Sequence, residues 1–284
     1  MKIVELTDDN VEDYDGIIDE ELLADIGREY HKGIIAKEKD SDDIKAGIFW
    51  KLKNAELEDT DTVSEIIALL KGSVDVSGDL MKVYNEDVVR NSAELSYFEF
   101  PELDEERRSV FDKEKYKIAK VESRDIIISV GELAKLPYAK KKPPEYIKCI
   151  KELTVRQFKA GVMTSVLHGR YGLLDDLPFL PMNWFDMELS SCVVTDNKIN
   201  GFLLVRRERD DLYCVELLFA MQPDANMNLL NMMRYSIRAA IENLSPSDRI
   251  ILRRHSKATE ALVAKLFPEK KGDDVIRGTK EFIF

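Results

Sequence analysis

Glu216 is the residue whose type and position most directly suggest chemistry, because it lies inside the otherwise apolar run Val215–Ala220. A carboxylate among apolar neighbours must find a charged or hydrogen-bonding partner, or bind its proton more tightly. Arg206 and Arg253, on segments expected to form neighbouring strands, could supply that partner. Glu216 is therefore a candidate for a reactive carboxylate or for a structural ion pair.

The other reactive side chains are three cysteines and a group of basic residues. Cys149, Cys192 and Cys214 show neither CxxC nor mixed Cys/His spacing, so we expect reduced, buried thiols and no metal site. Basic residues of the second half could form a positive rim for a ligand that carries phosphates, with solvated surface as the alternative. They are Arg206, Arg207, Arg209, Arg234, Arg238, Arg253, Arg254 and Lys257.

Charge and composition exclude several classes of protein. The 284 residues carry a net charge of -12, which argues against general nucleic-acid binding. Up to Lys142 the chain has a net charge of -13, and the remainder has +1, so a surplus of cations is confined to the second half. No apolar run approaches the roughly 20 residues that span a bilayer. We expect a cytoplasmic protein without membrane or nucleic-acid partners.

The segment 139–146 is the predicted linker between two halves, 1–138 and 147–284. It joins a basic run, Lys140–Lys142, to Pro143 and Pro144, which cannot continue a helix or donate to a strand. Ile3–Thr7 is echoed by Ile150–Thr154 immediately after it. We expect each echo to be a short strand that ends in a helix-capping threonine.

Further segments recur in the same order in the two halves. Each pair is rich in β-branched, aromatic or aliphatic residues and predicts a strand. The pairs are Gly33–Glu38 with Ser191–Asp196, Ala46–Lys51 with Asn200–Val205, and Val63–Leu69 with Cys214–Ala220, which sets Glu65 against Glu216. An amphipathic helix follows in each half, and then a strand, Ser92–Phe100 or Arg249–Arg253, a short helix and a terminal strand, Asp125–Val130 or Thr279–Phe284. The prediction is an α/β protein with two tandem mixed sheets.

This order of elements is that of the GNAT N-acetyltransferase superfamily, and each half resembles it over nearly its whole length. The resemblance implies that the central strand splits from its parallel neighbour, so that free main-chain groups can receive the pantetheine arm of acetyl-CoA. It also implies that the pyrophosphate lies at the N-terminus of the following helix, where unsatisfied amides and the helix dipole favour anions.

The second half is the closer match, and the resemblance places the acetyl-CoA site there. The residues so implied are Leu218, Phe219, Ala220, Met221, Gln222, Ala225, Asn226, Met227 and Arg234. The family's loop carries glycines, whereas Gln222–Met227 contains none and includes Asp224. The first half offers Lys71–Gly78, with two glycines and one aspartate, Asp75.

The resemblance also assigns catalytic positions. Glu216 would act as the general base that deprotonates an amine. Leu262 falls where the family has a tyrosine that protonates the departing thiolate, and His255 falls where it has an asparagine. His255 could replace the missing acid, or it is an ordinary surface residue.

Two functions follow from the resemblance. The first is acetyl-CoA-dependent N-acetyl transfer, without a metal, to a small-molecule amine or a peptide, and the sequence leaves a homodimer open. The second is a degenerate module that keeps the fold to bind a ligand or a protein. Fold alone does not decide between them.

Overall fold

A computed structural model describes residues 1–27, 31–39, 43–55, 60–70, 72, 74–168, 177–254 and 257–283. The strands are β1 Lys2–Glu5, β2 His31–Lys37, β3 Ile44–Ala55, β4 Thr60–Leu70, β5 Leu95–Phe100, β6 Lys117–Glu122, β7 Asp125–Ser129, β8 Ile147–Cys149, β9 Ser191–Thr195, β10 Lys198–Arg209, β11 Leu212–Ala220, β12 Arg249–Arg253 and β13 Asp274–Glu281. The helices are α1 Glu20–Leu23, α2 Val74–Arg90, α3 Glu105–Lys113, α4 Val130–Leu133, α5 Val155–Leu167, α6 Ala225–Asn243 and α7 Lys257–Leu266. No helix in these ranges is long and apolar enough to cross a membrane.

The chain divides into two compact units. The first comprises Met1–Ser123 and Asp273–Phe284, and the second comprises Arg124–Gly272. The two terminal strands are therefore exchanged: β7 belongs to the second unit, and β13 belongs to the first.

The first unit is built on a seven-stranded mixed sheet in the order β1-β2-β3-β4-β5-β13-β6. Strands β1 to β4 are antiparallel neighbours, whereas β4 and β5 are parallel. Helix α2 packs on this sheet through Leu80, Met81, Tyr84 and Val88, which are fully buried and recur at helical spacing.

The second unit is built on a six-stranded sheet in the order β7-β12-β11-β10-β9-β8. Strands β11 and β12 form its parallel pair. Helix α6 buries Met232, Met233, Ile237 and Ala240 in a core with residues of β7, β10 and β12. Thr154 begins α5 with a capping box, in which its side chain accepts from the Gln157 amide, as the threonine echo predicted.

The predicted division at 139–146 differs from these units. Segments Asp125–Val130 and Thr279–Phe284 were each expected to close the sheet of their own half. Instead, β7 pairs with β12, and β13 lies between β5 and β6. The first strand of the second half also lies earlier than expected, at β8, because Ile150–Glu152 forms a turn of 3₁₀ helix. Strand propensity predicts that a segment is extended, but the partner depends on tertiary packing.

Candidate functional site

The parallel strand pair of each unit splits partway along its length. In the first unit β4 pairs with β5 only over Val63–Ile66, although β4 continues to Leu70. In the second unit β11 pairs with β12 only over Leu212–Cys214, although β11 continues to Ala220. Within the described residues, the ends of β4 and β11 thus carry a main-chain edge without a parallel partner. This is the predicted split in both units.

A cavity of about 360 Å³ opens at the split of the first unit. Its lining comes from the end of β4, the loop after it, α2 and the beginning of α3. The residues are Leu69, Leu70, Gly72, Ser77, Asp104, Glu106, Arg107 and Val110. Small-molecule sites typically have volumes of roughly 300–1,000 Å³, so the cavity has the size of a ligand site.

Gly72 allows the loop after β4 to pack closely against β3. A Cβ at this position would lie 2.6 Å from the Cβ of Ala46 and 3.0 Å from the carbonyl oxygen of Lys45. Only a residue without a side chain fits there. The glycine in Lys71–Gly78 therefore has a packing role at the rim of the cavity.

The split of the second unit is filled by apolar side chains. The cavities described there have volumes of about 20 and 30 Å³, enough for one or two water molecules. Leu262, Val263 and Leu266 of α7 line the smaller one together with Leu218 of β11. Leu262 thus faces the split, at the place where the resemblance puts a proton donor.

Glu216 forms the ion pair that was one of its two predicted roles. It is 2% exposed, and Oε1 accepts a hydrogen bond from Nε of Arg206 at 3.0 Å. Glu216 is the extra residue of a β-bulge in β11. Leu204 of β10 pairs with Leu217, and the next residue, Val205, pairs with Val215, so Glu216 lies between the two pairs. Its second oxygen, Oε2, is buried and accepts no hydrogen bond from the described residues.

Glu65 is not the counterpart of Glu216, contrary to the sequence match. In the first unit the bulge residue is Ile67, because Phe49 faces Ala68 and Trp50 faces Ile66. The Glu65 carboxylate forms an ion pair with Lys53. A match made by residue type misses a bulge that shifts the register by one position.

The ion pair of Glu216 belongs to a network across neighbouring strands. Nη2 of Arg206 also donates to Glu208 at 2.6 Å. Arg253 lies 3.5 Å from Glu208 and 3.4 Å from Asp125. The carboxylates of Glu208 and Glu216 approach the thiol of Cys214 within 4.8 Å, a grouping that could in principle bind a metal. Two guanidinium groups already supply the positive charge there, so the arrangement is an ion-pair network.

The predicted acetyl-CoA residues occupy three places in the second unit. Leu218, Phe219 and Ala220 end β11, and Met221 and Gln222 follow it. Ala225, Asn226 and Met227 form the first turn of α6, directly after the split. Arg234 lies nine residues further along, about 14 Å from the helix start, and donates to Asn231 at 2.8 Å. The structure brings the first eight together and leaves Arg234 apart.

The predicted positive rim is largely neutralised by nearby carboxylates. Arg207 pairs with Asp210, Arg209 with Asp211, and Arg238 with Glu242, besides the pairs of Arg206 and Arg253. Sequence proximity of arginines to acids such as Asp210 and Asp211 could have indicated this. Arg207, Arg209 and Arg238 therefore each have a carboxylate partner close in sequence.

His255 lies outside the described residues. The three cysteines are buried thiols, as expected. Burial raises the pKa of the Cys192 thiol to about 12, and it raises that of Cys214 well above its usual range. Neither thiol is a nucleophile at neutral pH.

Charge and shape point to different units as the ligand site. The first unit contains 36 Asp and Glu against 19 Lys and Arg, whereas the second contains 18 against 23. The net field therefore favours an anion at the second unit, but salt screens that field over about 8 Å at physiological ionic strength. A ligand cannot enter about 20 Å³. The cavity of about 360 Å³ lies in the first unit, and the sequence did not single out its lining residues Arg107 and Ser77.

Comparison with known proteins gives matches in structure only. No protein-family model and no curated protein matches the chain. A tandem GNAT protein from the clavulanic acid biosynthesis pathway is 9% identical, with a TM-score of 0.54 over 99% of this chain and 98% of that one. A GCN5-related N-acetyltransferase from Anabaena variabilis is 11% identical, with a TM-score of 0.52 over 99% and 73%.

A third solved structure is a conserved protein from Enterococcus faecalis described as a probable N-acyltransferase. It is 11% identical, with a TM-score of 0.51 over 97% of this chain and 71% of that one. At such low identity, likeness establishes the fold and leaves activity to be argued from the site. The resemblance seen in the sequence is confirmed at that level: the chain has the GNAT fold, present as two mixed sheets that each carry the split parallel pair.

Proposed function

We propose that this protein is an acyl-CoA-dependent N-acyltransferase that acts on an amine, and that its first unit holds the acyl donor. The observation that carries the proposal is the cavity of about 360 Å³ at the split between β4 and β5. At the corresponding split of the second unit, where the sequence placed the donor, the described residues form apolar cavities of about 20 and 30 Å³. A thioester supplies an acyl group activated for attack by an amine.

The residues around the cavity fit an elongated thioester with a phosphate end. The main-chain edge of β4 beyond Ile66 offers donors and acceptors for the amides of a pantetheine arm. Leu69, Leu70 and Val110 supply apolar walls. The 17-residue helix α2 begins beside Gly72, and its N-terminal amides and dipole favour phosphate.

Titration with acetyl-CoA, followed by thermal unfolding and calorimetry, tests the proposal. A ligand that binds the native state raises the apparent stability by mass action. Leu70→Trp fills the first cavity and should abolish the stabilisation. Leu262→Trp makes the same change at the split of the second unit, and it is the matched control, expected to bind as wild type does.

The reverse result, loss of binding only in Leu262→Trp, would move the donor to the residues 218–227 inferred from the sequence. Glu216 would then return as the candidate base beside it. Wild-type protein that neither binds acetyl-CoA nor releases CoA with any amine would overturn the proposed function.

Acyl-CoA binding without transfer is the second candidate function. One observation favours it: the helix that faces each split presents an aliphatic side chain there, Val110 in the first unit and Leu262 in the second. Protonation of a leaving group by a placed side chain typically contributes about 10²–10⁴ in rate. Turnover should therefore be slow.

An assay of CoA release over a panel of amines and peptides separates the two functions. Tight acetyl-CoA binding with no release above the uncatalysed rate supports a binding module. Rapid turnover of one amine supports the transferase.

A further inference from the structure

We propose that Arg107 forms an anion subsite in the cavity of the first unit and binds the phosphate end of the acyl donor. This inference rests on the proposed function and deepens it, because it names the residue on which recognition of the phosphates depends. Arg107 lies near the beginning of α3 and lines the cavity together with Gly72 and Ser77, which flank the start of α2. Arg107 and the start of α2 thus both line the cavity, and both favour an anion.

The side chain of Arg107 is held from two sides. Its Nε donates to Oδ2 of Asp104 at 2.7 Å. Its guanidinium carbon lies 5.9 Å from the centre of the Phe100 ring. Among the described residues no hydrogen bond involves the two terminal nitrogens, so both can donate to phosphate oxygens in the fork geometry of a guanidinium.

Asp104 acts as a positioning residue for Arg107. Its Oδ1 accepts the Arg107 backbone amide at 2.8 Å, which caps α3, while Oδ2 accepts from the side chain. These hydrogen bonds hold the pKa of the Asp104 carboxyl below its usual range. The charged carboxylate accepts both hydrogen bonds and so positions the guanidinium.

The lining of the cavity in the first unit includes acidic side chains, so a phosphate needs a cation there in order to bind. Of the described residues that line the cavity, Asp104 and Glu106 are acidic, and Arg107 is the basic one. A phosphate that entered without Arg107 would meet two like charges. Arg108, the next residue, is exposed and does not line the cavity, so it serves as a matched control.

Isothermal titration of the full-length protein with two probes tests the subsite. Acetyl-CoA carries the phosphates, and S-acetylpantetheine lacks them. Arg107→Met should weaken acetyl-CoA binding roughly ten- to a hundredfold, as expected for loss of charge-assisted hydrogen bonds. It should leave S-acetylpantetheine binding unchanged. Arg108→Met should change neither.

Two further variants separate positioning from net charge. Asp104→Asn keeps a side chain that caps helices well, so α3 is retained. It removes a negative charge, yet it should weaken acetyl-CoA binding because Arg107 loses its anchor. Glu106→Gln removes the same charge without touching Arg107 and should tighten binding.

The outcomes distinguish this inference from the proposed function. Wild-type protein that does not bind acetyl-CoA would refute both. Wild-type binding that Arg107→Met leaves intact, or that Arg107→Met and Arg108→Met weaken equally, would refute the subsite alone. Tighter binding by Asp104→Asn would refute the positioning role.

Discussion

Arg206 and Glu216 form the buried ion pair at the centre of the second sheet. Their side chains are 12% and 1% exposed, and the ring of Trp184 lies 4.9 Å from the Arg206 guanidinium carbon. Removing one partner of a buried pair leaves an uncompensated charge and costs about 3–5 kcal/mol. The pair therefore matters more through the penalty of breaking it than through its own net attraction.

We expect Arg206→Met to lower the free energy of unfolding by about 3 kcal/mol, because it removes the hydrogen bond to the buried Glu216 carboxylate. Glu216→Gln should cost less, since a neutral amide tolerates burial better than an unpaired carboxylate. Urea unfolding followed by Trp184 fluorescence and circular dichroism measures both. A smaller loss for Arg206→Met than for Glu216→Gln would contradict this account.

Glu132 links a helix start to a distant lysine in the second unit. Its carboxylate accepts hydrogen bonds from the backbone amide and the hydroxyl of Ser129, within the capping box that begins α4. It also forms an ion pair with Lys270 at 2.5 Å. The hydrogen bond from Lys270, followed by that from the Ser129 amide, lowers the pKa of Glu132 from 4.5 to about 2. Because the folded pKa is depressed, the contribution to stability is complete above pH 4.5 and disappears as the pH falls through 2.

Glu132→Gln should therefore flatten the dependence of stability on pH between 4.5 and 2. Chemical denaturation at a series of pH values measures the slope, with Glu269→Gln as the control at a carboxyl close to Lys270 in sequence. The same steep slope in wild type and Glu132→Gln would mean that the acid sensitivity arises from other carboxyls.

The sequence was sufficient to predict the role of a residue where that role depends on residues adjacent in the chain. It was insufficient where the role depends on residues that only the fold brings close. Thr154 was predicted to cap a helix from the residues next to it, and it does so. Glu216 was singled out because a charge in an apolar strand needs a partner. Arg107 was missed because nothing in Glu105–Lys113 distinguishes it from Arg108. Only the fold shows that Arg107 lines the cavity and Arg108 does not.

At the scale of elements, β13 is the strand that completes the first sheet. It pairs with β5 over Ile276–Glu281 and with β6 over Asp274–Thr279. Gly278 lies against the ring of Phe98, where a Cβ would come within 2.1 Å of a ring carbon. The end of the chain is thus packed into the core of the unit formed mainly by its beginning.

Gly278→Ala should destabilise the first unit by about 1–3 kcal/mol, the usual cost of overpacking a core. Trp50, buried in β3, reports that unit, and Trp184 reports the other, so each variant can be followed with one tryptophan replaced by Phe. Thr279→Ala, at the next position of the same strand, is the control. An effect of Gly278→Ala on Trp184 alone would contradict the placement of β13.

Periodicity and composition predicted most elements, but not which sheet the terminal strands join. Segments such as Arg249–Arg253 were predicted with the bounds that the structure has. The exchange of β7 and β13 was not predicted, because each has the apolar character that either sheet could accept. The closed split of the second unit was not predicted either, since it depends on how α7 packs.

At the scale of the whole molecule, the exchange increases the contrast in charge between the units. The two halves of the sequence have net charges of -13 and +1. The units as folded have 36 acidic against 19 basic residues, and 18 against 23. The basic run Lys140–Lys142, which the sequence treated as a linker, lies within the second unit. A boundary drawn in sequence therefore crosses a structural unit.

Cleavage of the chain after Lys142 should not separate its halves. The site is exposed and lies in a stretch without helix or strand, so an inserted protease sequence there should be cut. After cleavage, residues 273–284 of the second fragment still pair with β5 and β6 of the first, and β7 of the first fragment still pairs with β12 of the second. Size-exclusion chromatography should therefore show one species of unchanged size, which separates into two fragments in urea.

Each fragment purified alone lacks one strand of its sheet and exposes another, so it should not refold cooperatively until the two are mixed. Two independently folding fragments would mean that each half closes its own sheet, as the sequence alone suggested.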